Sequence, residues 1–244
     1  QKAGLTPSDY DVTRLTTTVE GFILDNQTTV REAIAILQSA YFFDAVETEG
    51  IIRFVPRGGT SAITIDEDKL LPTGSEGVRQ NIEIKRAQEL DMPNRVNVDY
   101  LSRTRDYNTV TQFSLRQTVK ATEIIGLQLP IVMSDQDAKK IADVALYNAW
   151  IGRVTYSFTL PPEYLAVEPS DIITISVNGV NHVMRVISTT MARNGSQEVQ
   201  ATAEDVSTYD FYTPPGESTG SDGQGVAIPE TELNMMDLTA FTSE

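Results

Sequence analysis

The side chains that most often perform catalysis are sparse in this sequence. It has one histidine, His182, so a Ser-His-Asp triad or a histidine-rich metal site would have to be built around that residue. His182 lies in a strand-like segment where it would face Ile175, and a triad would also need a serine on a tight turn between a strand and a helix. The position therefore favours a structural, partly buried histidine.

Carboxylates are numerous, and they could support two other kinds of chemistry. A glycosidase needs two acids roughly 5 to 9.5 Å apart across a cleft, and the sequence singles out no such pair. Asp66-Glu67-Asp68 could bind a cation weakly, but this run lacks the Asp-x-Asp-x-Asp-Gly pattern of a calcium loop. We interpret the run as a solvated loop.

Glycine and aromatic residues do not form a recognisable ligand site either. Gly58-Gly59 and the loop from Gly74 to Gly77 lack the spacing of phosphate-binding loops, so we interpret both as turns. Trp150 and nearby Tyr147 could form a sugar-binding platform. Trp150, however, ends the apolar stripe of a predicted helix, which favours a core contact between that helix and a sheet. We assign no catalytic, cofactor-binding or metal-binding residue and predict that the protein is not an enzyme.

Composition narrows the class of protein further. Of 244 residues, 34 are acidic and 19 are Lys or Arg, and the net charge of −15 disfavours binding to nucleic acid or to anionic membranes. The absence of cysteine excludes disulfides and cysteine-ligated zinc. No apolar run approaches the roughly 20 residues of a membrane helix. Because the chain begins with Gln1 and not Met, we expect a processed protein or a segment of a longer one.

Two amphipathic helices can be placed by their N-terminal caps. Thr29 and Glu32 form a capping box before apolar residues at helical spacing, which predicts a helix from about 29 to 41. Ser134 is the expected N-cap of a second helix from about 135 to 150, with aspartates in its first turn and an alanine-rich apolar stripe.

Alternating apolar residues and turn signals predict the strands. A hairpin around Glu49-Gly50 should follow the first helix, and a second hairpin should lie between Arg95 and Leu115. Asn178-Gly179 and Asn194-Gly195 predict a three-stranded meander from about 171 to 205. With a two-residue turn at the first pair, the expected cross-strand neighbours are Val177 with Val180, Ile175 with His182, and Ile173 with Met184.

Other strands are expected in between. Val154 to Leu160 alternate with polar residues before Pro161-Pro162, which predicts a strand that ends at a rigid corner. Isoleucines at 63 and 65 and at 82 and 84 indicate connecting strands on either side of a Pro- and Gly-containing loop.

The composition changes at Thr213. Residues 213–229 are rich in Pro, Gly and Ser, which is typical of a flexible linker, so we expect the folded body to end near 212. Residues 230–244 are acidic but too apolar for a mere spacer. We expect this tail to dock on a neighbouring subunit or domain through Leu233, Met235, Met236, Leu238 and Phe241.

Several stretches occur in a characteristic order. They are Leu90–Tyr100 with a Pro-x-x-Val strand, Arg105–Tyr107 with an Asp-Tyr pair, Lys140–Trp150 with a helix that ends in tryptophan, the aromatic strand Tyr156–Pro161, and Leu165–Ile173 with a Glu-Pro-x-Asp segment. Together with Thr29–Leu37 and Phe43–Phe54, they resemble the phage tail protein, or baseplate hub, family found in large tail-tip proteins of gene transfer agents and long-tailed phages. The resemblance covers about residues 1–210, and Ser170 stands where the family often has glycine.

This resemblance implies a structural module of a baseplate hub, without catalytic residues. It implies a homotrimer around the channel through which DNA leaves without specific binding, with other tail-tip and distal tail proteins as partners. The expected location is the virion, at the tail tip, after synthesis in the cytoplasm of a bacterial host. An acidic channel would repel the passing DNA and would not retain it.

The expected fold class is α+β, mainly β, and the resemblance implies antiparallel β-barrel-like hub domains that each carry one packed helix. Residues 1–92 would form an N-terminal hub subdomain of a helix and hairpins. Residues 93–212 would form the barrel domain that the resemblance implies to be akin to a tail-tube fold, with the helix at 135–150, followed by the linker at 213–229 and the docking tail at 230–244.

Two other functions remain open at this point. The chain could be a carbohydrate-binding or accessory module of a tail-associated glycan-degrading protein, which glycan binding by the isolated chain would favour. It could also be a secreted or cell-surface β-sandwich adhesin, but that fold leaves the two capped helices unexplained.

Overall fold

Three β-sheets and two amphipathic helices make up the computed structural model, which describes residues 6–24, 29–72, 81–117, 121–210 and 214–215. The fold is mainly β, with 45% strand and 23% helix, as the sequence predicts. None of the helices in these residues is long and apolar enough to cross a membrane.

The strands in chain order are β1 (Tyr10–Asp11), β2 (Gly21–Phe22), β3 (Phe43–Thr48), β4 (Ile51–Pro56), β5 (Ile63–Asp66), β6 (Ile82–Arg86), β7 (Pro93–Ser102), β8 (Thr109–Leu115), β9 (Glu123–Met133), β10 (Val154–Leu160), β11 (Ile172–Val177), β12 (Val180–Met191) and β13 (Gln197–Ala203). The helices are α1 (Val30–Tyr41), α2 (Asp135–Ile151) and the short α3 (Ser207–Asp210).

The first sheet has three strands in the order β1-β4-β3 and lies beside α1. The predicted capping box starts α1: the Thr29 amide donates to Glu32 Oε2 at 2.7 Å, and the Glu32 amide donates to Thr29 Oγ1 at 3.3 Å. β3 and β4 form the predicted hairpin, whose turn places Glu49 and Gly50 at positive φ, 54° and 78°. The helix and the hairpin are both confirmed.

The second sheet has four strands in the order β2-β9-β7-β8, and α2 packs across one of its faces. The predicted N-cap is present, since the Asp137 amide donates to Ser134 Oγ at 3.1 Å. The small alanines of α2 let the helix approach the sheet closely. The core between them includes Val96, Val98, Tyr100, Val110, Ala138, Ile141, Ala142, Leu146 and Trp150.

The third sheet has six strands in the order β5-β11-β12-β13-β10-β6. Asn178 and Gly179 both have positive φ, 50° and 79°, which is the two-residue turn that this pair favours. The three cross-strand pairs expected from that turn are all present. Phe158, Leu160, Ile173, Ile175 and Met184 form the centre of this core, each at most 1% exposed.

The structure differs from the sequence prediction in its long-range pairing. β9 is a long strand that the sequence pattern did not indicate, and it runs parallel to β7. The strands β5 and β6 exist, but they form opposite edges of the six-stranded sheet and do not simply connect neighbouring strands. The second Asn-Gly pair lies in a longer loop, because the last ladder pair there is Met191 with Gln197.

Each sheet is open among the described residues, where no sheet closes on itself as a barrel. The division between residues 92 and 93 stays a prediction. Strands that precede it join both larger sheets: β2 pairs with β9, and β6 pairs with β10. The predicted linker and docking tail lie outside the described residues, apart from Pro214 and Pro215.

Candidate functional site

His182 is half-buried on β12 and takes part in packing. Its Nδ1 lies 3.3 Å from the hydroxyl of Tyr156, and the two rings meet edge to face with centroids 5.7 Å apart. Ile175 is its cross-strand neighbour, as expected. These contacts are those of a structural histidine, which agrees with the interpretation from the sequence.

The acidic residues do not form a cation site in the described part of the chain, where no three His, Asp or Glu side chains converge as metal ligands. Asp66 ends β5, and Glu67 and Asp68 begin the short 3-10 turn that follows. Both aspartates are exposed to solvent, which fits the predicted solvated loop.

One motif in the sequence has the spacing of a hydrolase nucleophile turn. Gly216, Ser218 and Gly220 give a Gly-x-Ser-x-Gly sequence. In hydrolases this turn follows a strand and opens a helix, whereas Pro214-Pro215 precede it here, and further glycines follow it. The motif lies outside the described residues, and its sequence context does not favour a nucleophile.

Trp150 is buried, at 6% exposure, in the core between α2 and the four-stranded sheet. Its indole N–H donates to the carbonyl of Pro93 at 2.8 Å, and the Arg116 guanidinium lies 4.3 Å from the ring centre. The predicted core contact is confirmed. A buried ring cannot stack on a sugar, so the sugar platform loses its tryptophan.

Five side chains form the most extensive polar cluster in the described chain, which we call the Asp44 network: Asp44, Arg57, Arg185, Glu204 and Tyr209. Arg185 Nη1 lies 3.0 Å from Asp44 Oδ2, and Arg185 Nε lies 3.3 Å from Glu204 Oε2. Arg57 Nη2 lies 2.6 Å from Asp44 Oδ1, and the Tyr209 hydroxyl donates to Glu204 Oε1 at 2.7 Å. The network therefore joins the three-stranded sheet, the six-stranded sheet and α3.

Burial gives this network its structural importance. The side chains of Arg185 and Glu204 are 16% and 4% exposed, so neither charge could be left unpaired without a large cost. Burial, together with the hydrogen bond to Glu204, raises the pKa of Tyr209. For Arg57, burial alone would lower the pKa, but the contact with Asp44 raises it above its ordinary value. The network has the features of a joint between sheets, and two of its members, Arg57 and Tyr209, also line a cavity of about 390 Å³.

Sequence reasoning missed the Asp44 network. Asp44 and Arg185 are 141 residues apart, and each lies in a strand whose pattern looks ordinary. Only the three-dimensional packing brings them together.

The outer face of the four-stranded sheet carries an exposed group of apolar side chains around an arginine, which we call the outer patch: Arg95, Phe113, Leu115 and Ile124. Arg95 on β7 is flanked by Leu115 on β8 and by Ile124 on β9. Leu115 is 45% exposed and Ile124 57% exposed. The Arg95 guanidinium lies 4.1 Å from the centre of the Phe113 ring. Arginine, aromatic and aliphatic side chains in one exposed group are typical of protein interfaces.

A family of known proteins matches most of this chain. The family model described as "putative phage tail protein" matches residues 29–189, which include α1, α2 and most strands of all three sheets. The chain belongs to this family. Its membership points to a structural tail protein, and the resemblance read from the sequence is confirmed.

Solved structures show the same fold as this phage tail protein. A chain of the virion of a native gene transfer agent particle is 24% identical, with a TM-score of 0.78 over 88% of this chain and 47% of that chain. A tail protein from Neisseria meningitidis MC58 is 13% identical, with a TM-score of 0.51 over 80% of this chain and 61% of that chain. The chain thus spans about half to three fifths of the length of these two relatives. No curated protein sequence matches it.

Proposed function

We propose that this phage tail protein is a non-enzymatic module of a baseplate hub, forming part of a trimeric ring around the DNA channel of the virion. The family match over residues 29–189 is the observation that carries the proposal. The similar fold of a chain in a gene transfer agent virion supports it. Other tail-tip and distal tail proteins are the proposed partners.

The outer patch is the proposed contact between subunits. Ile124 and Leu115 expose apolar surface to water. Burial of such surface between subunits stabilises association by roughly 25 cal/mol per Å². The sheets are open among the residues that the structure describes, and we propose that neighbouring subunits complete the barrel-like arrangement of the hub ring. The subdomains at 1–92 and 93–212 are part of the same proposal.

The net charge of −15 fits a channel for DNA. Phosphates are held by clustered Lys and Arg and repelled by carboxylates, so an acidic bore would let DNA pass without retaining it. A ring whose arginines lined the bore would contradict this part of the proposal.

The direct test is the mass of the chain in solution by light scattering, combined with negative-stain images. We expect a mass three times 26.9 kDa and rings with three-fold symmetry. Ile124→Asp should lower the fraction of trimer. Val180→Asp, which changes an equally exposed apolar residue on the Asn178-Gly179 hairpin, should leave that fraction unchanged. A strict monomer at high concentration, or glycan binding without rings, would contradict the hub role.

A further inference from the structure

The helix α1 is amphipathic but buries little of its apolar face. Of its 12 residues, only Ala40 is fully buried, at 2% exposure, whereas Val30 at the opposite end is 49% exposed. Ile34 and Leu37 are half-buried. The helix thus packs closely at its C-terminal end and leaves an apolar surface uncovered towards its N-terminus.

That uncovered surface is one wall of a groove of about 750 Å³ between α1 and the three-stranded sheet, whose strand β1 contributes to the lining. Cross-strand pairing puts Ala45 beside Phe54 and Glu47 beside Ile52, so these four side chains form the opposite wall. The volume lies within the roughly 300–1,000 Å³ of ligand-sized clefts. Its apolar lining comes mainly from Tyr10, Val12, Val30, Ile34, Ile52 and Phe54.

The chain itself contains a segment with matching chemistry. Residues 233–241 hold five large apolar side chains within nine positions, and two of them are methionines, whose unbranched chains adapt to irregular grooves. The segment carries Asp237 and follows Glu232, without Lys or Arg, while Arg31 is exposed on the helix wall of the groove. The segment and the groove thus share apolar character, while the charges of Arg31 and Glu47 on the lining offset each other.

The last described helix, α3, lies at the C-terminal end of α1, the helix that forms one wall of the groove. Tyr209 of α3 packs edge to face on Phe42, the C-cap of α1, with centroids 6.0 Å apart. A 12-residue helix is about 18 Å long, so the far end of the groove lies roughly that distance from the end of α3. A Gly- and Ser-rich stretch of roughly 17 residues, such as 213–229, has a root-mean-square span of about 21–25 Å.

We propose that residues 233–241 dock in the groove between α1 and the three-stranded sheet of the same chain. The short connection gives this segment an effective concentration in the millimolar range, so even a weak contact keeps the groove occupied. The segment then covers the apolar surface of α1.

The test uses the methionines of the 244-residue chain. The chain has six Met and no Cys, so a nitroxide can be attached at one introduced cysteine and the ¹³C-labelled Met methyl groups followed by NMR. With the nitroxide at Ala45→Cys in the groove, we expect the signals of Met235 and Met236 to lose at least half of their intensity. With the nitroxide at Val180→Cys, on the Asn178-Gly179 hairpin, these two signals should lose clearly less of their intensity.

One further sample decides between occupants. In a mixture of spin-labelled chains without ¹³C and ¹³C-labelled chains without a spin label, the proposal predicts no loss of signal, because docking is within one chain. Loss of signal in this mixture as well as in the doubly labelled sample would show that another copy fills the groove and would overturn the proposal. So would full intensity of both signals with the Ala45→Cys label.

A groove variant tests the apolar contact itself. Ile34→Asp should weaken binding of a 230–244 peptide to the chain shortened at residue 229 by at least tenfold, whereas Val180→Asp should not change it. Equal binding by both variants, in titrations followed by the same methyl signals, would overturn the docking site.

Discussion

The two long helices begin in the same way and are used differently. Thr29 and Ser134 both accept a hydrogen bond from the backbone amide three residues later, and both helices carry acidic side chains in the first turn. Yet α2 has seven buried residues and α1 has one. Local capping therefore sets where a helix starts, while the surrounding sheets decide whether its apolar face becomes core.

The difference in burial means that α2 forms core, whereas the apolar face of α1 is partly exposed. α2 lies across the four-stranded sheet, with Trp150 and Leu146 in its core. α1 contacts both β3 of the three-stranded sheet and β9 of the four-stranded sheet, but only Ala40, near its C-terminal end, is fully buried in the core that α2 also lines. An apolar face that the chain leaves half-covered is available for another segment or protein.

The largest expected effect comes from a buried ion pair on α2. Lys139 Nζ lies 2.8 Å from Asp143 Oδ1 and donates to the carbonyl of Phe113 at 2.8 Å, and the Asp143 side chain is 3% exposed. Lys139→Ala leaves that carboxylate buried and unpaired, so we expect a loss of about 3–5 kcal/mol in the free energy of unfolding. Urea denaturation measures it.

The matched control for that change is Arg31→Ala on α1, which removes an exposed cation and should cost less than about 0.5 kcal/mol. A similar loss in both variants would mean that the two helices do not differ in burial.

Truncation of an apolar side chain on each helix tests the comparison directly. Leu146→Ala on α2 removes a side chain that is 4% exposed, and we expect a loss of about 2–5 kcal/mol. Ile34→Ala on α1 should cost about 1 kcal/mol, because Ile34 is half-buried. Thermal and urea unfolding of both variants measures these losses. Equal losses in Ile34→Ala and Leu146→Ala would contradict the comparison.

The caps should give equal effects, because they are local. Thr29→Ala and Ser134→Ala each remove one side-chain acceptor for a backbone amide, and each should cost about 1 kcal/mol. Thr29→Asn and Ser134→Asn keep an acceptor and should restore most of the loss. A cost at Ser134 several times that at Thr29 would show that capping, too, depends on the sheet behind the helix.

A smaller effect is expected at alkaline pH from a buried tyrosine beside each helix. Burial and hydrogen bonds raise the pKa of Tyr100, which donates to Asp135 of α2, and of Tyr209, which packs at the end of α1. The unfolded chain then loses these protons first, at about pH 10, so stability is full below that pH and falls above it.

Between pH 9.5 and 10.5, the free energy of unfolding should fall less steeply in Tyr100→Phe and in Tyr209→Phe than in the wild type. At pH 10.5 each variant should differ from the wild type in this loss by less than about 1 kcal/mol. Urea unfolding at each pH gives the slope. A wild-type stability that does not decline above pH 10 would contradict the expectation.

Local signals predicted much of the fold. The capping box at Thr29, the cap at Ser134 and the Asn178-Gly179 turn each act over four residues or fewer, and each appears in the structure as expected. The burial of Trp150 followed from its place at the end of the α2 stripe.

Long-range pairing left no comparable signal. β9 contains Gly126 and Pro130, residues that weaken a strand prediction. In the sheet, Pro130 lies where the register between β9 and β7 shifts, so its missing N–H interrupts the ladder at an irregularity. The outer patch depends on the pairing of β7 with β9, and the Asp44 network depends on packing between two separate sheets, so neither could be predicted from spacing along the chain.

The strand order of the six-stranded sheet also fixes when it can form during translation. Its two edges, β5 and β6, are complete by Arg86, whereas its four central strands lie between Val154 and Ala203. In a nascent chain, β5 and β6 therefore stay unpaired until the four strands that lie between them in the sheet have left the ribosome. Contacts this distant in sequence slow folding and leave strand edges open to wrong partners. The six-stranded sheet can therefore be completed only once the chain has been made as far as Ala203.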